Sequence, residues 1–366
     1  MKPVLIERQT EFDDHFPALS SEALLAVDTE FFRETTYFPH LGLVQVANAK
    51  IVACIDPLAF DAREAIASLL LDPDITKVFH SCSQDMEVLA LYLGKPPCPL
   101  LDTQIATSLL DDAEQIGYAK LVSSELGVDL DKSQTRTNWL KRPLTVKQLE
   151  YAADDVYYLY QLISIVTKKL NNLHRNQWFQ EDCAALCASS QQFEPDTTNC
   201  GTRVKGTHRL PGLELAIINS IACWRERLAI ERDKNRRRVL PDDDIVLIAT
   251  SKPDSVDQLG KTGQLSRYFN SDELETLFVI VQKSYSTPES EWPVRINTKP
   301  SPEEKKKLEK LQSFINQKAG ELKISGSILC ARKELISLFN GSRDCRVLTG
   351  WRRTIIGDEL LNLLEA

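Results

Sequence analysis

The sequence predicts a mixed α/β domain over residues 1–188, followed by two all-helical domains over 210–285 and 302–366. Three observations carry this. Short apolar runs alternate with helical periods through the first 170 residues, whereas beyond residue 210 every strong period is helical. Two polar stretches without periodicity, Ser189–Arg209 and Ser286–Pro302, separate the three parts and read as linkers. The order of antiparallel strands first and βα units after them calls for a mixed sheet.

The elements follow in chain order. Leu24–Val27 is a short apolar run readable as a strand. Leu41–Ala47 and Ile51–Ile55 are strands joined by the tight connection Asn48-Ala49-Lys50. Lys77–His80 is a further strand, and Ser81 is placed to cap a helix running to about Leu93. Leu100–Thr103 leads from a strand into a helix. Leu149, Ala152, Ala153, Val156, Leu159 and Ile163 recur at three- and four-residue spacing and define a helix over 146–170. In the second part, Leu213, Ile217, Ile221, Trp224 and Leu228 form one stripe, Asp244–Thr250 a short helix, and Ser271 caps another carrying Leu274, Leu277 and Val281. In the third, Leu308, Leu311, Ile315 and Leu322 form a stripe, with further apolar runs at Leu335–Phe339 and Leu360–Leu364.

Composition narrows the class. Hydrophobic residues make up 43% and charged ones 26%, as in ordinary globular chains. No apolar run is long enough to span a bilayer, and the opening Met1–Arg8 breaks its apolar stretch with charge, against a secretory signal. Nine scattered cysteines without a C-x-x-C pair fit thiols in a reducing cytoplasm. The net charge of −8 does not advertise nucleic-acid binding, yet binding depends on local patches. Gly260-Lys261-Thr262 lacks the earlier glycine of a phosphate loop, so no nucleotide cofactor is expected.

The chemistry concentrates in acidic residues. Asp28 and Glu30 end the first strand and share a face, because residues i and i+2 point the same way. Two adjacent carboxylates repel unless a cation lies between them, and hard divalent cations prefer such oxygens. Asp85 lies in the first turn of the helix after Lys77–His80, where an acidic residue also suits the helix dipole. Tyr151 and Asp155 are one turn apart on one face of the 146–170 helix; Asp154 points about 100° away as a solvated neighbour. Each signal alone is weak, since Asp85-Met86-Glu87 repeats D-x-E and Tyr268/Asp272 repeat Y-x-x-x-D.

Their combination and flanks are specific. Asp28-Thr29-Glu30-Phe31 leads to Tyr37-Phe38-Pro39-His40-Leu41-Gly42-Leu43-Val44-Gln45-Val46-Ala47. Val78-Phe79-His80-Ser81-Cys82-Ser83-Gln84-Asp85-Met86-Glu87 and Gln148-Leu149-Glu150-Tyr151-Ala152-Ala153-Asp154-Asp155 follow. These segments resemble the three exonuclease motifs of the DEDD superfamily, tyrosine branch, and in particular the bacterial ribonuclease D family. The resemblance covers residues 1–170 sharply and continues to the C-terminal region, where that family carries helical HRDC domains. It implies an RNase H-like fold and two divalent metal ions, Mg²⁺ or Mn²⁺, held by Asp28, Glu30, Asp85 and Asp155. It also implies hydrolytic removal of 3′-terminal nucleotides from RNA, tRNA precursors with 3′ extensions among them. Two metals can stabilise the attacking and leaving oxygens of an in-line displacement, and Tyr151 can orient the attacking water or take its proton. Two rival readings stay open: a DNA-directed exonuclease of the same superfamily, and a catalytically silent RNA-binding protein.

Further candidates flank this set. Thr29 and Phe31 adjoin the carboxylates and can touch the terminal nucleotide; Lys132 and Arg136, near Trp139, can meet phosphates. Residues 225–238 are the most basic stretch, and Arg236, Arg237 and Arg238 form a candidate RNA-docking patch. No signal bears on oligomeric state, and a monomer is the expectation carried forward.

Overall fold

The computed structural model describes residues 2–111, 115–189, 195–208, 210–293 and 301–365. They form two compact units. The first combines residues up to Phe32, Leu41 to the end of a helix at Ser189, and 301–365. The second combines Arg33–His40 with 195–293.

The first unit is built on a six-stranded sheet of β1 (Val4–Ile6), β2 (Leu24–Phe32), β3 (His40–Ala47), β4 (Val52–Ile55), β5 (Thr76–Phe79) and β6 (Leu100–Asp102), in the order β1-β4-β3-β2-β5-β6. β3 and β4 pair antiparallel, while β2–β5, β5–β6 and β1–β4 pair parallel, so the sheet is mixed. β1 is absent from the sequence reading because it has only three residues beside charged Glu7 and Arg8. Helices α1 (Gln9–Leu19), α2 (Arg63–Leu70), α3 (Ser83–Leu93), α4 (Thr103–Ser108), α5 (Tyr118–Leu126), α6 (Val146–Asn172) and α7 (Asn176–Ser189) complete this part. α6 opens with a capping box, Thr145 accepting from Gln148 N while Gln148 bonds back to Thr145 N, and buries Ala152, Ala153, Val156, Leu159, Ile163 and Val166.

Two helix starts differ from expectation. Ser81 does not cap α3: the cap position is Cys82, without a side-chain cap bond, and Ser81 takes a left-handed backbone, φ +62°. Ser271 is the first helical residue of its helix rather than its cap; Asn270 caps it, with Glu273 closing the box.

The C-terminal segment departs from the expected separate domain at 302–366. The helices of residues 301–365 share one apolar core with the sheet. Their stripes of Leu308, Leu311, Ile315, Leu335 and Leu338 are too narrow to close a core alone and are buried in that of the first unit. Trp351 stacks on Trp178 of α7, centroids 4.3 Å apart and planes 6° apart. The buried Arg352 guanidinium meets both Asp182 oxygens, at 2.5 and 2.8 Å. Arg175 donates to the carbonyls of Leu109 and Leu322.

The second unit packs α8 (Gly212–Glu231), α9 (Arg236–Val239), α10 (Asp242–Ser251), α11 (Val256–Lys261) and α12 (Ser271–Tyr285) around Ile217, Ile221, Ile248, Leu259, Leu277 and Val281. Cys200 and Val204 are buried in this core, so the described part of the first expected linker belongs to the helical unit. So does the segment after β2. Asp233 accepts from the backbone N–H groups of Tyr37 and Phe38, and Tyr37 Oη donates to the buried Glu226 at 2.6 Å. The first unit closes with α13 (Pro302–Leu322), α14 (Gly326–Leu329), α15 (Arg332–Phe339), α16 (Gly350–Arg352) and α17 (Asp358–Glu365). No described helix is long and apolar enough to cross a membrane.

Candidate active site

β2, α3 and α6 bring the predicted acidic residues to one cleft of about 480 Å³. Asp28 and Glu30 reach it from the same face of β2, and Asp155 from α6. One carboxylate oxygen of each lies within 4.8 Å of the others. Asp85, from the first turn of α3, lines the same cleft, and its Oδ1 accepts a 2.5 Å hydrogen bond from Thr29 Oγ1. Thr29 thus stands between the two metal-ligand candidates of β2 and ties them to the fourth carboxylate. Tyr151 stands one turn before Asp155, lines the same cleft, and rests near the buried Trp139 ring, centroids 6.1 Å apart. Gly42 permits this arrangement. A Cβ there would stand 2.9 Å from Trp139 O, closer than real side chains come, and a tight 3.2 Å from Glu30 O.

The electrostatics are those of a site short of positive charge. Burial, reinforced by Asp155 and Asp85, pushes Glu30 up to about 9. Burial and the surrounding carboxylates hold Asp28 well above its ordinary range. Burial raises Asp155 to about 7, against the Tyr151 hydrogen bond, and Asp85 to about 6, against that from Thr29. Burial and Asp155 raise the Tyr151 phenol, which favours a donating hydroxyl over a phenolate. A donor set of carboxylate oxygens, crowded and desolvated, fits a hard divalent cation, whose charge would relieve the repulsion.

The remaining candidates separate. Phe31 and Lys132 line the cleft, and the exposed Lys120 joins them. Arg136 is exposed and is not among the lining residues. Arg142, from the same basic stretch, is structural, bonding both oxygens of the buried Asp56. Asp154 is half-buried rather than solvated; its carbonyl accepts from Tyr118 Oη, and its carboxylate lies outside the cluster of three. In the second unit, Arg236 and Arg237 line a separate hollow with Arg33 and Arg203, held from behind by Glu226 and Asp242, while Arg238 is exposed.

The sequence reading passed over Asp102. This nearly inaccessible carboxylate at the end of β6 accepts from the N–H groups of Ser81, Cys82 and Gln104, at 3.0, 2.9 and 2.8 Å. Its signal was available: an Asp-Thr pair directly after an apolar strand run, as at Asp28-Thr29.

Comparison with known proteins accords with this geometry. A family model for the 3′-5′ exonuclease matches residues 3–171, and one for the HRDC domain matches residues 214–276. Ribonuclease D of Pseudomonas paraeruginosa is 34% identical over 352 residues, which cover 94% of this chain and 93% of the relative. The chain belongs to the ribonuclease D family. Ribonuclease D of Escherichia coli is 32% identical over 364 residues, covering 96% and 93%. The crystal structure of E. coli RNase D superposes with a TM-score of 0.88 at 30% identity, over 100% of this chain and 99% of that one. As a member of the ribonuclease D family, with an intact 3′-5′ exonuclease domain, the chain is a hydrolytic exoribonuclease.

Proposed function

We propose that this member of the ribonuclease D family shortens RNA from its 3′ end by two-metal-ion hydrolysis. It releases 5′-mononucleotides, and tRNA precursors with 3′ extensions are among its substrates. The observation that carries the reading is the meeting of Asp28, Glu30 and Asp155 within 4.8 Å, beside Asp85, in an open cleft. These four carboxylates would hold two divalent cations, Mg²⁺ or Mn²⁺, which when bound supply Lewis-acid stabilisation of the attacking and leaving oxygens.

The chain's own residues do the rest. The Tyr151 phenol, raised above its usual value and so kept protonated, lines the cleft beside Asp155 and can hydrogen-bond the attacking water and fix its direction. Phe31 offers a ring for the terminal base, and Lys132 and Lys120 offer charge to phosphates at the rim. Thr29 touches the terminal nucleotide only through atoms other than its hydroxyl proton, which Asp85 takes. Arg136 serves the incoming strand outside the cleft. Arg236, Arg237 and Arg238 dock RNA on the second unit; the hollow shared with Arg33 and Arg203 supports this reading. Nine free cysteines are consistent with action in the cytoplasm, and the chain acts as a monomer.

A tRNA precursor labelled at its 3′ end tests the proposal. Labelled 5′-mononucleotide should appear with Mg²⁺ or Mn²⁺ and vanish with EDTA. Release of oligonucleotides, or hydrolysis indifferent to EDTA, would refute it.

A further inference from the structure

Phe79 at the end of β5 and the three residues of the turn that leads to α3 are held by one dipeptide, Asp102-Thr103. The Thr103 hydroxyl lies 3.1 Å from Phe79 O and 2.9 Å from His80 Nδ1. The Asp102 carboxylate takes the N–H groups of Ser81 and Cys82 on separate oxygens. Between them Ser81 sits at φ +62°, a left-handed conformation that a residue with a Cβ adopts reluctantly. α3 starts two residues later, and Asp85 lies in its first turn. The direction of that turn is therefore set by a backbone conformation that Ser81 does not favour and that Asp102 enforces.

We infer that Asp102 is a positioning residue for hydrolysis, acting through Asp85. Its two oxygens hold the strained Ser81-Cys82 turn and so aim Asp85 at the cleft. The inference rests on the exonuclease reading above. An asparagine at 102 keeps the shape, but its amide nitrogen cannot accept, so one of the two N–H groups loses its partner. The turn can then relax and swing Asp85 away from Asp28, Glu30 and Asp155. Residues that orient metal ligands typically govern affinity or rate by about 10–100-fold.

The test compares the parent chain with Asp102→Asn and with Asp102→Asn/Ser81→Gly. It measures kcat and KM on a 3′-labelled RNA, Mn²⁺ affinity by calorimetry, and Tm. Asp102→Asn should lower kcat by about 10–100-fold, weaken Mn²⁺ binding by about tenfold, and leave KM within about threefold. Glycine at 81 adopts the left-handed turn without help, so the double variant should regain about tenfold in both quantities. A merely structural Asp102 would lower Tm without this recovery. Activity and Mn²⁺ affinity of Asp102→Asn within about threefold of the parent, or a double variant no better than the single one, would overturn the inference. Should Asp102→Asn fail to fold, Ser81→Val substitutes for it, since it leaves Asp102 intact and penalises the positive φ. Its kcat and Mn²⁺ affinity should fall, and retention of both would be fatal. A parent chain that binds Mn²⁺ but leaves RNA whole would sink the exonuclease reading instead, with the Mn²⁺ measurements still deciding the role of Asp102.

Discussion

Thr29 Oγ1 and Asp85 Oδ1 are joined by a 2.5 Å hydrogen bond across 56 residues of sequence, from the middle of a strand to the first turn of a helix. The bond favours the ionised form of Asp85 and fixes which of its oxygens faces the other carboxylates. Thr29→Val keeps the branched shape and removes the donor. Expected is a loss of about tenfold in kcat with a higher metal requirement. A metal titration of steady-state rates checks this, and an unchanged half-saturating concentration would contradict it.

Tyr151→Phe separates water positioning from metal binding. The phenol is raised above its usual value, so it acts through the hydrogen bonds it makes and not through ready ionisation. The variant should retain Mn²⁺ affinity and lose about 100-fold or more in kcat. Single-turnover hydrolysis beside a calorimetric Mn²⁺ titration reads both; a fully active variant refutes the assigned role.

Stability of the metal-free protein should fall as pH rises. Glu30 is raised to about 9, Asp155 to about 7 and Asp85 to about 6, all above the values that free carboxyls hold. The native chain therefore keeps protons that the unfolded chain has lost between about pH 4 and pH 9, and stability drains away across that window. A divalent cation replaces those protons. The Tm gain on adding Mg²⁺ should be larger at about pH 8 than at about pH 5, in thermal melts with and without EDTA. A gain independent of pH would count against the carboxylates as ligands.

Arg352 and Asp182 attach the C-terminal helices to α7 by a bidentate pair beside the Trp178–Trp351 stack. The guanidinium is only 3% exposed. Arg352→Ala leaves Asp182 with only the Trp351 indole N–H as a donor and should cost about 3 kcal/mol. Urea unfolding followed by tryptophan fluorescence measures it, and a loss below about 1 kcal/mol would mean that the stack alone secures the segment.

Arg238 is the cleanest probe of the docking patch, because Arg236 and Arg237 also bind Glu226 and Asp242. Arg238→Glu should weaken RNA binding and reduce the salt slope by about 0.7 for one lost phosphate contact on a single strand. Filter binding across salt concentrations checks this; an unchanged slope removes Arg238 from the interface.

The grouping of candidate site residues within each segment was legible because it is local. Asp28 and Glu30 share a strand face by period alone, and Tyr151 and Asp155 share a helix face. What escaped depends on contacts distant in sequence. Ser81 reads as a helix cap from its type, yet the buried Asp102 imposes a left-handed turn on it. The stripe of Leu308, Leu311 and Ile315 reads as a domain of its own, because periodicity tells which face is apolar and not what covers it. Residues 33–40 fall inside the expected 1–188 domain, and only Asp233 and Glu226, nearly 200 positions away, reveal that they belong to the helical unit.

The first unit takes its last stretch, residues 301–365, from beyond the whole of the second. During translation the sheet and α7 emerge first, and roughly 110 further residues follow before α13 begins. At about 5–20 residues per second, the ribosome needs on the order of 5–20 s to supply them. Through that interval Trp178 and the apolar side of α7 have no cover from Trp351. A chain cut short inside the helical unit would lack the cover that Trp351 gives Trp178 and the charge that Arg352 brings to Asp182.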